Sequence, residues 1–109
     1  MITGKFNSLR LKKDFTHLSK NGKFIYGNNF SIKFQASNEN KVAFSIRKKL
    51  GKAPLRNKIK RRIREVIRKL DIKKNISCMI IVKEQAMKLS FLEIFEEITK
   101  AFKKVENSV

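Results

Sequence analysis

The stretch that most constrains this chain of 109 residues runs from Arg56 to Leu70 and reads RNKIKRRIREVIRKL. Counted from the residue before it, the apolar positions are Leu55, Ile59, Ile63, Val66, Ile67 and Leu70. At 100° per residue all six fall within an arc of about 120° on one side of an α-helix. Asn57, Lys60, Arg61, Arg64 and Arg68 occupy a further arc of about 100° on the other side, and Lys58, Arg62 and Lys69 form a flanking strip. From Arg56 to Lys69 eight basic residues stand against one acid, Glu65. A solvated helix face normally alternates sign, because like charges four residues apart repel by about 0.2–0.5 kcal/mol. Lys60, Arg64 and Arg68 stack like charges with no opposing partner, so this face is expected to bind a polyanion.

Such a helix needs a core beneath it, and the composition supplies one. Hydrophobic residues make up 41% of the chain and include nine Phe, enough for one folded domain over residues 1–109 but not two. The formal net charge of +18 destabilises the free fold by self-repulsion unless a polyanion neutralises it. The charge is also lopsided. Residues 1–83 carry 23 basic and four acidic side chains, whereas 84–109 carry four and five, so the first three quarters of the chain should meet the partner. The single cysteine, Cys78, excludes an internal disulfide and any zinc-finger spacing. Its setting, Cys78-Met79-Ile80-Ile81-Val82, reads as a small buried hydrophobe. No apolar run approaches the ~18 residues of a membrane span and no signal-peptide core precedes the domain, so a cytoplasmic protein with no membrane role is expected.

In chain order, residues 1–11 read as extended, with 1–8 loosely ordered. Lys12–Asn21 reads as a short helix with Leu11, Phe15 and Leu18 on one face and Asn21-Gly22 as its stop. Phe24–Tyr26 is a brief edge strand ended by Gly27-Asn28-Asn29. Phe30, Ile32 and Phe34 alternate with Ser31, Lys33 and Gln35, and after a turn at Ser37–Asn40, Val42, Phe44 and Ile46 alternate with Ala43, Ser45 and Arg47. This pattern predicts a hairpin with one apolar face and a second face lined by Ser, Ala, Ser and Lys, suited to a groove. A basic loop, Arg47–Lys52, leads to Pro54, which the first turn of the following helix tolerates. Asp71–Asn75 is a connector, and Ile76–Lys83 reads as an apolar strand covered on both faces. Ser90 and Glu93 form a capping box ahead of the helical stripe Phe91, Ile94, Phe95, Ile98, Ala101, Phe102 and Val105, which is core packing. The pattern is α-β-β-α-β-α with a further short strand near residue 25: an α+β single-domain sandwich of αβββαβα type.

Protein-borne catalysis has no foundation in these residues. A metal-dependent nuclease needs clustered carboxylates, but Asp14, Glu39, Glu65 and Asp71 fall on separate elements. His17 is the only histidine, and there is no Gly-rich phosphate loop. Binding of RNA as a ribosomal or other structural protein, and binding of DNA through the basic helix in the major groove, both fit the charge. The absence of a dimer seam argues against the DNA reading.

Arg56-Asn57-Lys58-Ile59-Lys60-Arg61-Arg62-Ile63-Arg64 closely resembles the signature helix of the bacterial ribonuclease P protein subunit, an Arg-Asn-Arg box followed by Lys-Arg and a further Arg. Val42-Ala43-Phe44-Ser45-Ile46, Lys48-Lys49-Leu50-Gly51-Lys52-Ala53, and Lys13-Asp14-Phe15 with Gly22 fit the same family, and the similarity covers roughly residues 9–105. The resemblance implies an α/β sandwich with a left-handed β-α-β crossover whose helix is the signature helix. Its partners would be ribonuclease P RNA and the single-stranded 5′ leader of precursor tRNA, cleaved with magnesium held mainly by the RNA, with no obligate protein partner and no protein-bound cofactor. Lys48, Lys49, Arg56, Asn57, Lys58, Lys60, Arg61, Arg64 and Arg68 would face the catalytic RNA. Phe15, Ser31, Lys33, Ser45 and Arg47 would line the leader cleft. Four positions depart from the family pattern. Lys58 replaces a frequent Arg and so a bidentate fork. Ser19 and Lys33 stand where relatives are often more aromatic or apolar, so this cleft should stack less and rely more on charge. Arg62 adds a positive charge where an apolar residue is common.

Overall fold

The computed structural model describes residues 7–8, 20, 22–37, 40–70 and 75–108. Among them the order is β1 (Asn7–Ser8), β2 (Lys23–Ile25), β3 (Phe30–Ala36), β4 (Lys41–Ser45), α1 (Ala53–Lys69), β5 (Ile76–Val82) and α2 (Phe91–Ser108). Short 3₁₀ turns lie at Lys48–Leu50 and Glu84–Lys88. The helix expected over 12–21 falls outside the described residues, apart from Lys20, which is helical.

The alternation in β3 does what it predicts on one side. Phe30, Ile32 and Phe34 are buried and join Val42, Ile76, Cys78, Ile80 and Val82 on a single sheet face. Ile59, Ile63, Val66 and Ile67 of α1 and Ile94, Ile98, Phe102 and Val105 of α2 close over that face. Fully burying one such side chain stabilises the fold by about 1.5–3 kcal/mol relative to leaving it in water. Burial without any polar partner pushes the Cys78 thiol up to about 12, so it stays a neutral hydrophobe at physiological pH.

The strand order is β1-β4-β5-β3-β2, which corrects the predicted hairpin. β3 and β4 are consecutive in sequence but not neighbours; β5 lies between them, antiparallel to β3 and parallel to β4. The physical reason lies in β5, the most continuously apolar strand, which hides best at the centre of a sheet. β3 and β4 therefore both bond to β5 and not to each other. At the start of β5 the buried Asn40 Oδ1 accepts the Ile76 N–H at 2.9 Å, and Asn75 O accepts the Ser37 N–H at 3.1 Å. β4 and β5 pair in parallel, so α1, the stretch that the resemblance identifies as the signature helix, is the helix of a β-α-β crossover. β5 departs from expectation in one respect: Met79 and Ile81, on the face away from the helices, are only half-buried. Asn7 and Ser8, expected in a loosely ordered start, pair in parallel with Lys41 and Val42.

The capping box forms as predicted. Glu93 Oε1 accepts the Ser90 N–H at 3.0 Å, and Ser90 Oγ accepts the Glu93 N–H at 3.2 Å. The bond from the Ser90 backbone, and then that with its side chain, hold the Glu93 carboxyl below its ordinary value of 4.5. A carboxylate with a depressed folded pKa contributes stability that is complete above the ordinary value and is lost as the pH falls through the folded one. Glu93→Gln is accordingly expected to flatten the acid limb of the stability curve below about pH 4.5, measured by denaturant unfolding across pH. An unchanged limb would show that the box carries no pH-linked stability.

Candidate nucleic-acid interface

The apolar arc of α1 fixes what its other side presents. Asn57, Lys58, Arg61, Arg64, Arg68 and Lys69 are exposed, and Asn57, Lys60, Arg61, Arg64, Glu65 and Arg68 line a groove of about 560 Å³. Three of the basic residues are only half-buried or half-exposed: Arg56, Lys60 and Arg62. By helical phase these three stand at or beside the edges of the apolar arc, so their stems cover the core while their charged heads reach solvent. Leu55 departs from its predicted burial, at 37% exposed. In the first helical turn it covers the bend at Gly51 instead; a methyl group added to Gly51 would meet Leu55 Cδ2 at 2.9 Å.

The charges on this face are not all unopposed, which corrects one expectation. Glu65 lies 3.7 Å from Arg68 Nη1 and 3.8 Å from Lys69 Nζ. These pairs are exposed and hold the side chains only weakly. Arg64 sits with its Cζ 5.2 Å from the centroid of the Phe44 ring, a cation–π contact that lays the guanidinium over a β4 side chain. Arg56 Nε donates to Gly51 O at 3.2 Å and so ties α1 to the loop before it. That loop exposes Arg47, Lys48 and Lys49. The first turn of α1 contains no acid, and its N-cap, Lys52, makes no side-chain cap bond. The positive end of the helix dipole therefore adds to the loop lysines instead of being neutralised.

A second surface is the sheet face away from the helices. The register aligns Phe24, Lys33, Met79 and Ala43 across four strands, with Ser31, Ile81 and Ser45 in the neighbouring row. Lys33 is half-buried and Ser45 exposed, as a groove requires. Ser31 differs. It is 3% exposed and its hydroxyl has no hydrogen-bond partner among the described residues, so it forms the floor of this face and not a contact surface. Phe15 lies outside the described residues.

Two features escape the sequence reading. The Phe24 and Tyr26 rings stack at 4.5 Å between centroids with 19° between planes, and Tyr26 is 77% exposed. The usable signal is the alternation of a short strand: with Ile25 opposite Ile32 on the core side, its neighbours Phe24 and Tyr26 must take the open side. The other is Glu97, whose carboxylate accepts the Asn29 N–H at 3.1 Å, Asn29 Nδ2 at 2.6 Å and the Phe30 N–H at 3.0 Å. No spacing in the sequence links residues so far apart. Glu97, Glu93 and Glu96 border an open recess of about 520 Å³ between α2 and the loop following β2. Among the described residues no three His, Cys, Asp or Glu side chains come together in a way that could hold a metal ion. No helix there is long and apolar enough to cross a membrane.

Fold and surface together define a small, strongly basic α+β domain whose crossover helix carries a cationic groove. The Ribonuclease P family matches residues 4–106, and the chain belongs to that family. It is 37% identical over 101 residues to the ribonuclease P protein component of Thermus brockianus, covering 93% of this chain and 61% of that protein. With the protein component of Dictyoglomus turgidum it shares 35% identity over 106 residues, 92% of this chain and 89% of the relative. The RNase P protein of Staphylococcus aureus superposes with a TM-score of 0.81 at 27% identity, covering 93% of this chain and 96% of that one. The chain thus spans about three fifths of the length of the Thermus relative but nearly all of the Staphylococcus structure.

Proposed function

We propose that this chain is the protein subunit of a ribonuclease P ribonucleoprotein, which removes the 5′ leader from precursor tRNA in the cytoplasm. The observation that carries the reading is the groove on α1, where Asn57, Lys60, Arg61, Arg64 and Arg68 converge on the side opposite the core. Cations spaced along a helix suit phosphates spaced along an RNA backbone, and Arg can hold a phosphate with two parallel bonds. Lys48, Lys49, Arg56 and Lys58 extend that surface around the start of α1. In this reading the open sheet face takes the unpaired leader, with Lys33 and Arg47 meeting its phosphates and Ser45 at its border. Phe15 joins this cleft on the strength of the family resemblance.

Hydrolysis of a phosphodiester in this family calls for magnesium. The described residues do not fit a protein-held ion: Glu65, the acid beside the groove, is engaged by Arg68 and Lys69. In this reading the metal and the reacting groups belong to the RNA, and the contribution of this chain is to bind, orient and neutralise charge. The test is reconstitution. RNA-free protein should leave precursor tRNA intact, and cleavage should appear when the cognate ribonuclease P RNA is added. Robust magnesium-dependent cleavage by RNA-free protein, or co-purification with ribosomal subunits in place of ribonuclease P RNA, would overturn the proposal.

A further inference from the structure

We infer that the stacked pair Phe24–Tyr26, with Lys33, is a base-stacking subsite for one unpaired nucleotide at the outer edge of the sheet. The inference rests on the leader-binding reading above and adds Phe24 and Tyr26, which the family resemblance does not supply. A Tyr at 77% exposure has at most one ring face covered, and here Phe24 covers it at 4.5 Å. The opposite face of Tyr26 is open to solvent, an arrangement with no role in the core. Lys33 Nζ lies 6.0 Å from the centroid of the Phe24 ring, so a cation stands beside the aromatic pair on the same sheet face. An aromatic surface with an adjacent ammonium is what a nucleotide requires: a π-face for the base and a positive charge for its phosphate.

The turn that follows the platform is braced. Immediately after Tyr26, Lys83 Nζ donates to Gly27 O at 2.6 Å, and the Lys83 N–H donates to Asn29 O at 3.0 Å. Glu97 anchors the same turn through Asn29 and Phe30. Gly27 is required by close approach, since a Cβ there would collide with Phe30 O. A turn braced before the ligand arrives reduces the entropy lost on binding. Inward from the rings lies Lys33, whereas the recess on the α2 side mixes Glu93, Glu96 and Glu97 with Lys100 and Lys104. A nucleotide stacked on Tyr26 can therefore continue toward Lys33 and on across the sheet. In this way the edge strand restores the stacking that Lys33 and Ser19 remove from the positions where relatives are more aromatic.

The experiment uses holoenzyme reconstituted with the cognate RNA, and precursor tRNA carrying either a leader of several nucleotides or a leader of one. Wild-type holoenzyme should bind the long-leader substrate more tightly. Tyr26→Ala should weaken that binding roughly fivefold or more, leave the one-nucleotide substrate unaffected, and leave the salt slope unchanged because no phosphate contact is lost. Tyr26→Phe should behave as wild type, because the ring and not the hydroxyl stacks. Lys33→Ala should also lose leader dependence, with a shallower salt slope. If wild type prefers the long leader, Lys33→Ala reduces that preference and Tyr26→Ala does not, the subsite is wrong while the leader reading stands. If wild type does not distinguish the leaders, both fall. A concentration-dependent dimer of RNA-free protein that Tyr26→Ala dissolves would assign the rings to a second copy of the chain and overturn the subsite.

Discussion

Replacing Arg61 and Arg64 together with Ala is expected to weaken binding to ribonuclease P RNA roughly a hundredfold, taking about 1.5 kcal/mol for one charge-assisted phosphate bond from each guanidinium. Both residues are exposed, and both line the α1 groove on the side opposite the buried Ile59, Ile63, Val66 and Ile67. The slope of log K against log salt should become shallower by about 1.4–1.8, the value for two released phosphate contacts. The substitution is not entirely silent for the fold. Arg64 stacks on Phe44 at 5.2 Å, and losing an exposed cation–π contact costs about 0.5–1 kcal/mol. Arg61 has no such ring contact among the described residues, so Arg61→Ala alone should lose affinity without that small loss of stability. Filter binding across a salt series, paired with a melting curve, separates the two effects. Unchanged affinity and slope in the double mutant would remove this helix face from the interface.

The second large effect lies on the other side of the same helix. Ile63 is 0% exposed, surrounded by the sheet and α2. Ile63→Ala removes three buried carbons and leaves a cavity that the close-packed core closes only in part, at a cost of about 2–5 kcal/mol. Against the 5–15 kcal/mol that typically holds a domain together, that is a large share. The melting temperature should fall by roughly 10 °C or more. Ile63→Val should cost about 0.5–1.5 kcal/mol. A chemical denaturation series on both variants checks the gradation, and equal stabilities would contradict close packing at this position.

These two residues, one on each side of α1, show what periodicity makes legible. The phase of six apolar residues separates core from surface because a helix has one repeat and the core one direction, and α2 is readable for the same reason. Where helical phase places a basic residue beside the apolar arc, as at Arg56 and Lys60, partial burial is foreseeable as well. Alternation in β3 and β4 is equally plain, yet it says nothing about which strand lies beside which. Two apolar runs joined by Ser37–Asn40 look like a hairpin, and only the competition for the sheet centre, won by β5, separates them. Ser31 shows the same gap at one position. A small polar residue on the open face looks accessible in the sequence, but its 3% exposure depends on what packs around it. Tyr26 and Glu97 are tertiary facts, made by a turn and by a distant helix.

The position of β5 also has a consequence for how the protein is made. The strand bonded to both β3 and β4 follows both of them in the chain, and the long basic helix precedes it. On the ribosome, about 5–20 residues are added each second. Until Ile76–Val82 emerges, β3 and β4 each carry an open edge, and the cations of α1 are already outside with no finished core to hold them. Sheet closure is thus one late step that joins distant parts of the chain, the kind of step that slows folding. A chain arrested short of Ile76 presents unpaired strand edges and a dense run of positive charge together. The first invites other nascent chains and the second any nearby RNA, so the arrival of seven residues decides whether the newborn protein meets its own fold or something else first.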